Sequence, residues 1–165
     1  MRNGWPRQGL YAITPDEPDT QALLSRVEAV LDAGIALVQY RNKNAAAPLR
    51  LEQALGLKSL CRLYGVPLVI NDDVQLARGM HADGVHLGER DGDPRQARKE
   101  LGEQALIGVS CYASIGRAQA AASRGADYLA FGAFFSSPTK PHARNTNTRI
   151  LPKARQFGLP LVAIR

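Results

Sequence analysis

Leu68-Val69-Ile70-Asn71-Asp72-Asp73 is the stretch that decides the fold. Val66 and Leu68 to Ile70 are apolar and mostly β-branched, which predicts a strand buried on both faces, as parallel strands are. The strand ends abruptly in an amide and two carboxylates. Strand interiors disfavour Asp and Asn, so this cluster belongs where the strand leaves the sheet. In a parallel α/β protein that edge is where ligands collect. An Asn with two adjacent Asp residues also supplies the hard oxygens that Mg²⁺ takes. A plainer role is open to Asp73, which can N-cap a helix beginning near Val74.

On the N-terminal side, Gly9 to Ile13 reads as a first strand, closed by Thr14-Pro15-Asp16. A helix from about Thr20 to Ala33 carries Leu23, Leu24, Val27, Val30 and Leu31 on one face and stops at Gly34. Ile35 to Tyr40 is a second strand, running into Arg41-Asn42-Lys43, and a second helix spans roughly Pro48 to Tyr64. On the C-terminal side follow a short helix (Val74 to Met80), a strand (Gly84 to Leu87), a helix (Pro94 to Leu101) and a strand (Leu106 to Ser110). Ser114 to Arg124 is an Ala-rich helix and Asp127 to Phe131 a sixth strand. A polar loop from Gly132 to about Asn147 is long enough to suggest function. A helix near Arg149 to Phe157 and a seventh strand from Leu159 to Ile164 complete the series.

Strand and helix alternate about every 25 residues, each helix is followed by Gly, and the αβ unit recurs with similar helix-end signals. This is the pattern of parallel βαβ units in one domain, residues 1–165. A doubly wound sheet would alternate in the same way. Polar residues follow nearly every strand, as though all strands converged on one ring, so the expected fold is an α/β barrel of the TIM type. Its usual length is about 250 residues, and 165 residues supply about seven strands, with the eighth strand and last helices missing.

Composition narrows the partners. Apolar residues make up 45% of the chain, as in globular proteins, and no apolar run approaches the roughly 20 residues of a transmembrane helix. The first residues lack the apolar core of a signal peptide, which predicts a cytoplasmic protein with no membrane partner. Cys61 and Cys111 have no CxxC spacing and read as reduced, packed thiols. The net charge of +6 is spread over many segments with few aromatics interleaved, which disfavours nucleic acid and suits a polyanionic small molecule. No GxSxG, GxGxxG or Walker A sequence is present.

The strand ends carry the chemistry. Gln39, Arg41 and Lys43 stand at alternate positions, which would send them to one side of an extended segment, where two cations and an amide suit a diphosphate. They could equally be three solvated loop residues. Asp72 and Asp91, with Asn71, could hold one Mg²⁺ and leave positions for water and phosphate oxygens. Ser110 is a hydroxyl donor, and Ser136-Ser137-Pro138-Thr139-Lys140 offers three hydroxyls and a cation. His86, between Val85 and Leu87, reads as a satisfied core residue with no chemistry assigned.

These segments together resemble the thiamine-phosphate synthase family. The matching stretches are Gly9 to Asp16, Val38 to Lys43, Val69 to Asp73, Ala82 to Gly88, Gly108 to Ser110, and Gly125 to Tyr128 through Ser137 to Pro141. The resemblance implies a TIM barrel that joins hydroxymethylpyrimidine diphosphate to a thiazole phosphate and releases pyrophosphate. It implies a pyrimidine-diphosphate site at Gln39, Tyr40, Arg41, Asn42, Lys43, Asn71, Ser110 and Lys140, and Mg²⁺ ligands at Asp72 and Asp91. Ser137, Pro138 and Thr139 match part of the thiazole-phosphate site. The reaction it implies is dissociative, so charge stabilisation by Mg²⁺, Arg41, Lys43 and Lys140 replaces a protein nucleophile. The family's pattern continues past a seventh strand, whereas Val162-Ala163-Ile164 here is followed by Arg165. An open barrel would expose strand edges, making a homo-oligomer possible. Two other readings are a thiazole tautomerase of the related TenI type and a non-catalytic chain that keeps diphosphate and Mg²⁺ binding.

Overall fold

The structure is a computed structural model and describes residue 6, residues 8–135 and residues 146–164. Among the described residues seven parallel strands pair in strict chain order: β1 (Tyr11–Ile13), β2 (Leu37–Tyr40), β3 (Leu68–Asn71), β4 (Gly84–Leu87), β5 (Leu106–Tyr112), β6 (Tyr128–Phe131) and β7 (Leu161–Ala163). The helices between them are α1 (Thr20–Asp32), α2 (Ala47–Tyr64), α3 (Val74–Gly79), α4 (Pro94–Leu101), α5 (Ile115–Ser123) and α6 (Ile150–Ala154). A doubly wound sheet reverses direction from its first strand. Here the order never reverses, which is a barrel's order.

Side chains show the curvature. Five strand spacings separate β1 from β6, roughly 24 Å across a flat sheet. Yet the Tyr11 and Tyr128 hydroxyls lie 2.8 Å apart, so the sheet curls until the two strands face each other. Leu37, Val69 and Leu106 meet inside the curve. The alternate residues face outward: Val38, Tyr40, Leu68, Ile70, Val85, Leu87 and Ile107 pack with Leu23, Val27 and Leu31 of α1 and Ala54, Leu57 and Cys61 of α2. A second outer cluster joins Val109, Cys111, Leu129 and Phe131 to α5 and α6.

Two glycines make this packing possible. A Cβ on Gly84 would lie 1.9 Å from the Leu106 carbonyl oxygen, and one on Gly108 would lie 1.9 Å from the Tyr128 ring. Both residues sit where another chain segment occupies the side-chain position.

The expected elements are present, with shifts at their ends. β5 runs two residues past Ser110, to Tyr112, through a register shift against β6. The expected last helix tightens into a 3-10 turn over Arg155–Phe157. α3 departs from the glycine rule. It contains Gly79, and His81 takes the positive φ of 52° that reverses the chain. Gly84 therefore serves close packing in β4 and is no helix stop.

Candidate active site

The loops after β1, β2, β3 and β4 assemble at the carboxyl ends of the strands. Thr14 ties β1 to β2: its hydroxyl accepts from the Arg41 N–H at 2.8 Å and donates to the Arg41 carbonyl at 2.9 Å. Asp16 then anchors the next turn. It accepts from the Lys43 N–H at 2.9 Å, from the Asn44 amide at 3.0 Å and from the Arg41 guanidinium at 3.3 Å. Beneath that turn, Gln53 of α2 is fully buried and accepts from both the Tyr40 hydroxyl (2.8 Å) and the Asn42 amide (3.0 Å). Asn42 also donates to the Glu17 carbonyl. Tyr40 and Asn42 thus shape the loop from below.

The β3 end shows a division of labour. Asp73 caps α3, accepting from the Leu76 N–H at 2.8 Å, as one reading of the sequence had it. Capping accounts for that residue alone. Asp72 takes a left-handed φ of 63°, which Asp tolerates better than most side chains, while its N–H bonds the His86 carbonyl on β4. That turn aims its carboxylate at Lys43, whose ammonium is 3.0 Å away, and at Asp91. Asp91 accepts from the Gly88 N–H at 2.9 Å. A Cβ on Gly88 would lie 2.4 Å from an Asp91 oxygen, so glycine makes room for that carboxylate.

Asp72 and Asp91 share a hydrogen bond. Burial raises both. For Asp72 the bonds from Asp91, Lys43 and Asn71 and the Lys43 charge outweigh burial and hold it below the usual carboxylate range. Asp91, facing the Asp72 charge, is pushed up. The two carboxylates form a hard-oxygen pair of the kind a divalent cation takes. Among the described residues no cluster of three His, Cys, Asp or Glu side chains could hold a metal. Two carboxylates with water and phosphate oxygens is how Mg²⁺ is commonly held, so these residues fit Mg²⁺.

A cleft of about 450 Å³ opens beside this group, lined among others by Asn42, Lys43, Arg50, Asn71, Asp72 and Asp91. Arg50, in the first turns of α2, was not singled out by sequence and adds a cation beside Lys43. The alternation of Gln39, Arg41 and Lys43 does not bring the three to one point, because β2 ends at Tyr40. Arg41 pairs with Asp16 and Lys43 with Asp72. Gln39 lies inside the barrel, where its amide donates to the Tyr11 hydroxyl at 2.6 Å. Ser110, at the β5 end, is 2.8 Å from His86 Nε2. Ser137, Pro138, Thr139 and Lys140 lie outside the described residues.

Sequence reasoning missed three supports. His86, Tyr128 and Tyr11 line the interior in one hydrogen-bonded chain, and the signal for His86 was its alternation with Gly84 on the inward face of β4. Arg117 of α5 donates to the carbonyls of Ser110 (2.6 Å) and Gly88 (2.8 Å), joining the ends of β4 and β5. Asp16 looked like a turn residue, and only its three partners reveal it as the anchor of the β2 loop.

A curled parallel sheet with cations and paired carboxylates at the carboxyl ends of its strands defines an α/β barrel of the TIM type, with its candidate site on the face where such barrels carry theirs. Comparison with known proteins makes the class specific. Residues 10–164 match the family model described as thiamine monophosphate synthase, and the chain belongs to that family. It is 54% identical over 159 residues to the thiamine-phosphate synthase of Methylobacillus flagellatus, covering 96% of this chain and 76% of that one. With that of Thiobacillus denitrificans it shares 50% over 157 residues, 94% of this chain and 74% of the other. Among solved structures, the thiamine phosphate pyrophosphorylase of Pyrococcus furiosus superposes with a TM-score of 0.81 at 31% identity, over 96% of this chain and 75% of that one. No helix among the described residues is long and apolar enough to cross a membrane.

Proposed function

We propose that the chain is a thiamine-phosphate synthase, a transferase that joins hydroxymethylpyrimidine diphosphate to hydroxyethylthiazole phosphate and releases pyrophosphate. The observation that carries this reading is the meeting of Lys43, Asp72 and Asp91 at the ends of neighbouring strands, beside a cleft lined by Asn71 and Arg50. A departing diphosphate needs such an arrangement. An isomerase acting on the thiazole alone has no leaving diphosphate to neutralise.

Asp72 and Asp91 would hold Mg²⁺, which supplies Lewis-acid neutralisation of the leaving pyrophosphate. Lys43 places a compact charge on the same group, with Arg41 and Lys140 as the further cations. Asn71 and Ser110 orient the pyrimidine diphosphate, and Ser137, Pro138 and Thr139 take the thiazole phosphate. Bond breaking develops negative charge on pyrophosphate and leaves a pyrimidinylmethyl cation, which the thiazole nitrogen captures. Fixed positive charge at the cleft stabilises that separation.

The test is to incubate the purified chain with both substrates and Mg²⁺ and to look for thiamine phosphate by mass spectrometry. The expected result is product that depends on Mg²⁺ and falls steeply in Lys43→Ala. Failure of the wild-type chain to make product at any Mg²⁺ concentration would overturn the reading.

A further inference from the structure

Arg50 differs from the other arginines that reach into the body of the barrel. A guanidinium carries five N–H donors in a planar fork. Arg98 gives its fork to the Ala105 and Gly125 carbonyls and to Asp127, and Arg117 gives its own to the carbonyls of Ser110 and Gly88. Arg50 Nε is also buried, yet among the described residues it has no hydrogen-bond partner. Its Nη1 lies 3.6 Å from an Asp73 oxygen, an ion pair too long for a hydrogen bond. The other Asp73 oxygen is occupied in capping α3, where it accepts from the Leu76 N–H at 2.8 Å.

Buried donors in folded proteins nearly always find an acceptor, and an unmet one lowers stability. Arg50 lines the same cleft of about 450 Å³ as Lys43, Asn71, Asp72 and Asp91, so an anion seated there would supply the missing acceptor. The two cations come from separate elements, Lys43 from the loop after β2 and Arg50 from α2. They pair with adjacent carboxylates, Lys43 with Asp72 at 3.0 Å and Arg50 with Asp73 at 3.6 Å. Two cations on one cleft suit two linked phosphates, with a compact charge for one and a fork for the other.

We propose that Arg50 is a further binding residue for the diphosphate group, its Nε–H and Nη–H taking oxygens of one phosphate while Lys43 neutralises the other. The rest of that ligand, a pyrimidine, rests on the synthase reading. The rival role is structural, with Arg50 tying α2 to the start of α3 through Asp73.

Calorimetric titration with pyrophosphate in the presence of Mg²⁺ separates the two, using the wild-type chain, Arg50→Gln and Arg50→Lys. Arg50→Lys keeps the charge and removes the fork. Both variants should bind pyrophosphate roughly tenfold to a hundredfold more weakly, the worth of hydrogen bonds to a charged group. Equal affinity in Arg50→Gln and wild type overturns the proposal, and so does a wild-type chain that binds no pyrophosphate. Full affinity in Arg50→Lys overturns the fork, because a point charge would then suffice.

Urea unfolding without ligand gives a readout that a structural tie would move in the opposite direction. Removing an unmet donor should leave the midpoint of Arg50→Gln at or above that of the wild type. A lower midpoint with unchanged pyrophosphate affinity makes Arg50 a tie between helices and overturns the proposal. Pyrophosphate binding is read without turnover. A chain that binds it through Arg50 but makes no thiamine phosphate would therefore sink the synthase reading alone.

Discussion

The Lys43 ammonium lies 3.0 Å from the Asp72 carboxylate, joining the loop after β2 to the end of β3. The lysine is half-exposed and sits at the cleft, where it can serve the carboxylate and a phosphate ligand in turn. This pairing helps hold Asp72 below the usual carboxylate range, while burial and the Asp72 charge push its neighbour Asp91 up.

Lys43→Ala should therefore lower kcat by about a hundredfold, or roughly 3 kcal/mol of barrier, the scale of losing one well-placed charge contact to a developing anion. Steady-state kinetics with saturating substrates checks this. A loss confined to KM would place Lys43 in ground-state binding alone.

Removing the metal should abolish turnover. Chelation followed by Mg²⁺ addition restores it, and Asp91→Asn should shift the restoring Mg²⁺ concentration upward by at least tenfold.

Asp16→Ala should raise KM for the pyrimidine diphosphate more than it lowers kcat. Asp16 holds the Lys43 N–H, the Asn44 amide and the Arg41 guanidinium, so its loss frees the whole β2 loop. Denaturant unfolding should show a modest change, about 1 kcal/mol, because these contacts are partly exposed.

Gly108→Ala should destabilise the barrel by at least 1–3 kcal/mol, the usual range for overpacking. The new Cβ would lie 1.9 Å from the ring of Tyr128, which is fully buried and has no room to swing aside. Urea unfolding measures it, and stability equal to the wild type would contradict the packing.

His86 makes stability depend on pH. Burial lowers its pKa from 6.5 to about 4, so between those values the unfolded chain binds a proton that the folded chain refuses. Stability contributed by neutral His86 is complete above pH 6.5 and is lost as pH falls toward 4, by about 3 kcal/mol in all. His86→Asn should flatten this part of the profile, measured by denaturant midpoints across that range against the wild type.

Chain-local signals were enough for the elements and for the carboxylate pair at the strand ends. Apolar runs with inward and outward alternation mark the strands, glycine and proline mark most helix ends, and a carboxylate has few other reasons to follow a buried β-branched run. Asp72 and Asp91 were legible for that reason, and so was Asp73 as a cap. The sequence also placed Arg41, Lys43, Asn71 and Ser110 at strand ends.

What only the tertiary structure decided is which of these groups meet. Strand order is set by how the sheet closes, so no local pattern reveals that Tyr11 and Tyr128, 117 residues apart, share a hydrogen bond. Alternation predicted one face for Gln39, Arg41 and Lys43, but it lapses where β2 ends at Tyr40, and each finds a separate partner. His86 reads as a core residue from either side of its strand. Its two ring nitrogens acquire their roles only because curvature brings β6 to one and β5 to the other. Sequence determines which groups a chain can offer at a strand end. Closure of the barrel determines their neighbours, because hydrogen bonds act over about 3 Å and contacts between distant segments are set by the fold as a whole.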